Sequence, residues 1–202
     1  MSADAVVGPG LPGASAPGAG LVPERLPVLR ASAAAGTRLA AFHRALRTMG
    51  LAHYNLVRLS SVIPPDTEVV AGRPHGAPGL RSLRPSERPV EFADGRWGDR
   101  VYCVYAEQST EVPGEQAWAG VGWVQRTDGQ GGYFVEHEGD DPDVVVAEIR
   151  ASLTDMVADE DVAFGPPEWV LEGVTCEDRP VCALVVVPYA AVGWGPRPSW
   201  PA

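Results

Sequence analysis

The run NLVRLSSVIPP, residues 55–65, constrains the fold more than any other stretch of the chain. Asn55 to Leu59 read as a strand, rich in long and branched apolar side chains. Pro64 and Pro65 lack backbone donors and hold the residue ahead of each in an extended conformation. The strand therefore ends there, at the end of a ladder and not in mid-sheet. Two adjacent hydroxyls, Ser60 and Ser61, sit inside this apolar run. One reading is a strand that ends in a polar turn; the other is a peptide bond that is itself a substrate.

The remaining runs alternate strand-like and helical patterns between turns. LPVLRAS (26–32) reads as a first strand. Thr37 is placed to cap a helix over 38–49, with Leu39, Phe42, Leu46 and Met49 on one face and Gly50 at its end. TEVVAG (67–72) follows the prolines, and residues 73–98 form a long Pro-, Gly- and Arg-rich connection of the kind that covers a site or an interface. VYCVYAEQ (101–108) and AWAGVGWVQ (117–125) bracket STEVPGE and read as a β-hairpin. GYFVEHEG (132–139) is a further strand, and Asp141-Pro142 opens a second helix to about 158, with Val146, Ile149, Leu153, Met156 and Val157 as its stripe. EWVLEGVTCE and PVCALVVVPYA close the chain as two strands joined at Asp178 and Arg179. Strands outnumber helices, which predicts an α+β, mostly antiparallel sheet with amphipathic helices on one face. Residues 1–22 are expected to be a disordered tail, 23–190 a single domain, and 191–202 a loose tail.

Composition narrows the partners. The formal charge of −10 argues against nucleic acid and anionic membrane, which require basic patches. No stretch approaches the ~20 apolar residues of a membrane span, and the N-terminus does not read as a secretory signal, so a cytoplasmic location is expected. Cys103, Cys176 and Cys182 read as reduced, buried thiols. Glu136, Glu138, His137, Asp140 and Asp141 cluster in sequence, but strand alternation puts the two glutamates and the histidine on opposite faces, so no metal site is expected. All 16 basic residues are Arg. Without Lys there is no Schiff-base partner for pyridoxal phosphate, and amine chemistry needs another carbonyl.

The Ser-Ser pair can supply one. Attack of the Ser61 hydroxyl on the Ser60 carbonyl moves the chain from nitrogen to oxygen as an ester. β-Elimination then breaks the chain and leaves a dehydroalanine at 61, which water converts to a ketone with release of ammonia. The product is a pyruvoyl group, whose ketone can condense with a substrate amine. A nearby amide such as Asn55 can donate to the oxyanion.

NLVRLSSVIPPDTEVV resembles the processing segment of the pyruvoyl-dependent arginine decarboxylases, N-[LV]-[IV]-R-[IL]-S-S-[IV]-x-P followed by an acidic, strand-forming run. FHRALRTMGLAHYN is similar to that family's amphipathic helix and glycine turn, STEVPGEQAWAGVGWV to its D-V-P-G-E segment, and GYFVEHEG to its strand with M-E-Y-E-G. The resemblance spans about residues 24–190. It implies a cut between Ser60 and Ser61, a covalent pyruvoyl group from Ser61, no pyridoxal phosphate and no metal. It further implies that Asn55 assists processing, that Glu136 is the catalytic acid, and that His43 and Tyr54 bind substrate. The implied fold is an αββα sandwich, assembled as a homotrimer or hexamer with sites between neighbouring subunits. The implied reaction converts arginine to agmatine and carbon dioxide.

One position departs from the pattern. Where the family's helix begins F-D-G, with the Asp holding the guanidinium, this chain has Phe42-His43-Arg44. A histidine makes no bidentate bond to guanidinium. Either another carboxylate supplies the contact or the substrate is a different amino acid; an unprocessed, non-catalytic homologue that acts as a binding partner is the alternative from another class.

Overall fold

A computed structural model describes residues 25–71 and 95–194. The expected tail at 1–22, most of the connection at 73–98, and the tail from 195 lie outside the described residues. The elements in order are β1 (Arg25–Ala34), α1 (Arg38–Met49), β2 (Asn55–Arg58), β3 (Val62–Ile63), β4 (Glu68–Ala71), β5 (Arg100–Thr110), β6 (Gln116–Gln125), β7 (Gly132–Gly139), α2 (Pro142–Met156), β8 (Glu168–Thr175) and β9 (Val181–Val192). Both helices start at the anticipated caps. Thr37 Oγ1 accepts from the Ala40 N–H at 3.1 Å, and Asp141 accepts from the Asp143 and Val144 N–H groups. Gly50 ends α1 at φ 80°, a left-handed turn that favours glycine.

The strands form two sheets, β2-β5-β9-β1-β4 and β3-β7-β6-β8. Pairing is antiparallel except at β1–β4 and β2–β5. The sheets stack face to face. Leu26, Val28, Val104, Val185 and Val187 of one meet Val121, Trp123, Phe134 and Val170 of the other in a buried layer. The outer face of the first sheet lies under α1, through Ala41, Ala45, Leu46 and Met49. The outer face of the second lies under α2, through Val145, Ile149 and Leu153. The architecture is an αββα sandwich, so each sheet buries both faces where a helix covers it. Gly120 and Gly122 on β6 let α2 approach: a Cβ at Gly122 would stand 2.2 Å from Ile149 Cγ2. Among the described residues no helix is long and apolar enough to cross a membrane.

Five expectations need correction. The one sheet with helices on one face that patterning alone suggests is two sheets with helices on both outer faces, the αββα sandwich that the resemblance implied. β5 and β6 are not a hairpin, because they belong to different sheets, and so do β8 and β9. The two crossing loops instead brace each other: Gly114 N–H donates to the Cys176 carbonyl and Cys176 N–H to the Glu115 carbonyl, both at 2.8 Å. The α1 stripe is rotated: Leu39 is 77% exposed, and small Ala41 and Ala45 face the sheet because they let the helix lie close to it. On α2 the buried line is Val145, Ile149 and Leu153, while Met156 is exposed. The last strand also runs past 190, to Val192.

Candidate active site

The strand-like run at 55–63 is divided between the two sheets. β2 pairs with β5 in the first, and β3 with β7 in the second. The last bond to the first sheet is Leu59 N–H to the Cys103 carbonyl at 2.9 Å. The first to the second sheet is Phe134 N–H to the Ser61 carbonyl at 2.7 Å. The peptide bond between Ser60 and Ser61 therefore spans the gap between two ladders. Ser61 turns the chain with φ 69°, a left-handed conformation that a non-glycine residue adopts at a cost of about 1–3 kcal/mol. Ser60 is exposed and Ser61 half-buried.

Ser61 Oγ donates to Glu136 Oε1 at 2.6 Å. Glu136 lies on β7 opposite Val121 and faces the layer between the sheets. Burial raises its carboxyl above the usual carboxylate range; the bond from Ser61 and the positive charge of Arg58 oppose that shift. Arg58 donates to the Tyr105 carbonyl and lies over the Tyr105 ring, 4.5 Å from its centre. Tyr189, buried on β9, donates its hydroxyl to the Val62 carbonyl at 3.0 Å. Burial, together with the charge of Glu136, pushes the Tyr189 phenol well above its ordinary range, so it remains a donor. Nucleophile and carboxyl thus meet at the crossing, with Phe134 N–H and the Tyr189 hydroxyl fastening the backbone that follows. The arrangement suits intramolecular attack by a hydroxyl, followed by proton return from a half-buried acid.

Of the other residues singled out in the sequence, Asn55 is at the start of β2, where its side chain donates to the Gly98 carbonyl at 2.6 Å. From Asn55 to Leu59 the chain is extended, about 13 Å at ~3.3 Å per residue, so its amide does not reach the Ser60–Ser61 bond of the same chain. His43 is exposed on α1. Tyr54 is buried beneath α1, its ring centre 4.1 Å from that of His53. Neither stands with Ser61 and Glu136 within the chain. His137 points the other way, to Ser152 and Glu148 of α2, as alternation requires. Among the described residues no group of His, Cys, Asp and Glu side chains is placed to hold a metal ion. Clefts of about 480 Å³ and 400 Å³ beside the 110–116 loop are lined by neither Ser61 nor Glu136. Sequence reasoning missed Tyr189 and the Phe134 N–H. A phenol inside the apolar run VCALVVVPYAAV was the available signal, since a buried Tyr hydroxyl finds a partner.

Ser61 fits as the precursor of a pyruvoyl group: its hydroxyl is held by an acid and its own carbonyl is bound by a backbone donor. The family model described as pyruvoyl-dependent arginine decarboxylase matches residues 26–82 and 84–191. A pyruvoyl-dependent arginine decarboxylase of Methanococcoides burtonii is 29% identical over 160 residues, 74% of this chain and 80% of that protein. One of Thermococcus sibiricus is 29% identical over 177 residues, 83% of this chain and 97% of that protein. Pyruvoyl-dependent arginine decarboxylase 2 of Archaeoglobus fulgidus is 35% identical over 103 residues, half of this chain and 55% of that protein. Among solved structures, a pyruvoyl-dependent histidine decarboxylase at pH 8 aligns with TM-score 0.40 and 15% identity over 56% of this chain and 59% of that one. With the family model matched along nearly the whole domain, the chain belongs to the pyruvoyl-dependent arginine decarboxylase family.

Proposed function

We propose that the chain cuts itself between Ser60 and Ser61 and then decarboxylates an amino acid, with arginine, the substrate in its relatives' names, yielding agmatine and carbon dioxide. The observation that carries this reading is the 2.6 Å bond from Ser61 Oγ to Glu136 at a strained sheet crossing. In the cut, Glu136 takes the hydroxyl proton as Ser61 Oγ attacks the Ser60 carbonyl carbon. The amide C–N bond breaks and an ester forms. Elimination releases Ser60 as the carboxylate end of the shorter chain, and one water replaces the nitrogen at 61, which leaves as ammonia. The pyruvoyl group so formed supplies an electron-withdrawing carbonyl for loss of carbon dioxide. Glu136 holds a proton on its carboxyl, favoured by burial, and delivers it to the substrate's α-carbon. Phe134 N–H holds the carbonyl of residue 61 in place throughout.

Asn55 acts in the site of a neighbouring subunit. Its distance from its own Ser60–Ser61 bond supports a homotrimer or a pair of trimers with shared sites, and the exposed face of α1 bearing His43 is then available to the neighbour's substrate. Tyr54 supports that wall from beneath. The test is denaturing electrophoresis with mass spectrometry of the purified chain. Two fragments, the larger one blocked to Edman degradation, and a whole chain for Ser61→Ala, are expected. A parent chain that stays whole under all conditions defeats the proposal and favours a non-catalytic homologue. A panel of arginine, lysine, ornithine and other amino acids, assayed by carbon dioxide release, decides the substrate.

A further inference from the structure

We propose that Tyr189 is a positioning residue that holds the new chain end, residues 61 and 62, against β7 after the cut; this rests on the reading that the cut occurs. Before the cut, residue 61 is fixed from both sides, through Leu59 on one sheet and Phe134 on the other. Breaking the Ser60–Ser61 bond removes the first anchor. What remains is a chain end leading into β3, a strand of two residues at the edge of its sheet. Pro64 and Pro65 follow it and supply no backbone donors. A strand this short frays as a free end unless it is tied down. Glu136 can deliver a proton only if residue 61 stays beside it.

Tyr189 supplies the tie. β9 carries an irregularity where Cys103 pairs with Pro188 and Tyr102 with Ala190, so Tyr189 is the extra residue opposite neither. Pro188, without an N–H, suits such a break in the ladder, and a bulge of this kind aims a side chain. Tyr189 is 7% exposed, and its hydroxyl bonds the Val62 carbonyl at 3.0 Å. Its ring meets the Phe134 ring edge-on at 6.3 Å, and the N–H of that same Phe134 holds the Ser61 carbonyl. The two residues thus grip consecutive carbonyls from opposite sheets. Ile63, 1% exposed, anchors the next position by burial.

The test is Tyr189→Phe in the full chain, which keeps the ring and removes the hydroxyl. The variant is expected to cut to the same extent as the parent on a gel. In the cut protein, hydrogen exchange at the Phe134 amide should quicken about tenfold, the loss of roughly one hydrogen bond's worth of protection. kcat should fall about tenfold with KM within about twofold. The same substitution in an uncut Ser61→Ala background should leave Phe134 exchange unchanged. Equal exchange and turnover in the cut variant and parent overturn the inference, and so does equal quickening in the uncut background, which marks a merely structural bond. A parent that never cuts is seen on the gel before any Tyr189 variant is made, and overturns the proposed function itself.

Discussion

Glu136→Gln separates the two jobs assigned to one carboxyl. The substitution keeps volume and leaves an oxygen to accept from Ser61, but it removes the negative charge that draws the hydroxyl proton. The bond is 2.6 Å long and half-buried. A hydrogen bond to a charged group contributes about 1.5–3 kcal/mol. Lost from the transition state of the cut, that corresponds to a slowing of about 10- to 150-fold. The parent's two reactions should then carry opposite pH dependences from one group. The cut needs Glu136 as carboxylate, so its rate rises as pH climbs through the raised carboxyl value. Turnover needs Glu136 protonated, so it declines over the same window. The cut itself helps the exchange of roles: the Ser61 hydroxyl, which holds the carboxyl down, disappears, and burial is left as the main influence, raising it. Stability has the same sign. A carboxyl raised above 4.5 by burial costs folded-state stability as pH rises through its folded value. The melting temperature of the Gln variant minus that of the parent should therefore grow with pH. The measurements are cut fraction against time by mass spectrometry at several pH values, carbon dioxide release, and calorimetry. A Gln variant that cuts at the parent's rate with the parent's pH profile refutes the assignment of Glu136 as base.

Three further outcomes are expected. Asn55→Ala alone should stay whole, yet be cut when coexpressed with Ser61→Ala chains, which lend an intact Asn55 across the subunit boundary; a failure of rescue in verified mixed oligomers places Asn55 outside the neighbour's site. Gly122→Ala puts a Cβ 2.2 Å from Ile149 Cγ2 beneath α2, and overpacking of about 1–3 kcal/mol should lower the melting temperature by about 2–12 °C; an unchanged melting temperature contradicts the close approach of α2 to β6. Burial raises the Cys103 thiol to about 12 and the Cys182 thiol to about 11, so neither should react with a thiol reagent at pH 8 until the protein unfolds; rapid labelling of either residue in the native state, located by peptide mapping, contradicts that burial.

Much of this was legible because local signals have local causes. Thr37 and Asp141 mark helix starts through side-chain bonds to nearby N–H groups, and Gly50 marks an end through its left-handed φ. Strand positions followed from alternation. Sheet membership did not: β5 and β6 read as a hairpin because a turn with Pro113 and Gly114 serves a hairpin or a sheet-to-sheet corner equally well. The α1 face was misjudged because Ala41 and Ala45 carry little hydrophobic weight, although small residues are what a closely packed helix–sheet contact selects. At the site, Ser61 and Glu136 were visible through their motifs. Tyr189 was not, because its partner is a carbonyl 127 residues away in sequence, a pairing that exists only once both sheets have formed.

That dependence gives a physical reason for placing the proposed cut at the crossing. A residue at φ 69° within one continuous strand would relax by shifting a flanking residue. Here Leu59 is fastened to one sheet and Ser61 to another, and moving either breaks a ladder bond and disturbs the packed layer between. The stability of the two sheets is thus what holds Ser61 in its costly conformation. Conversion of residue 61 to the pyruvoyl group removes the cost, since that residue then has no nitrogen of its own and hence no φ. On the proposed reading the β2–β5 ladder keeps the new carboxylate end near its former place, and Phe134 N–H, the Tyr189 hydroxyl and buried Ile63 keep residue 61 beside Glu136. The proposed cut at a sheet crossing would couple the reaction to completion of the fold: a chain that has paired only one of its sheets has neither the strain at Ser61 nor the acid beside it.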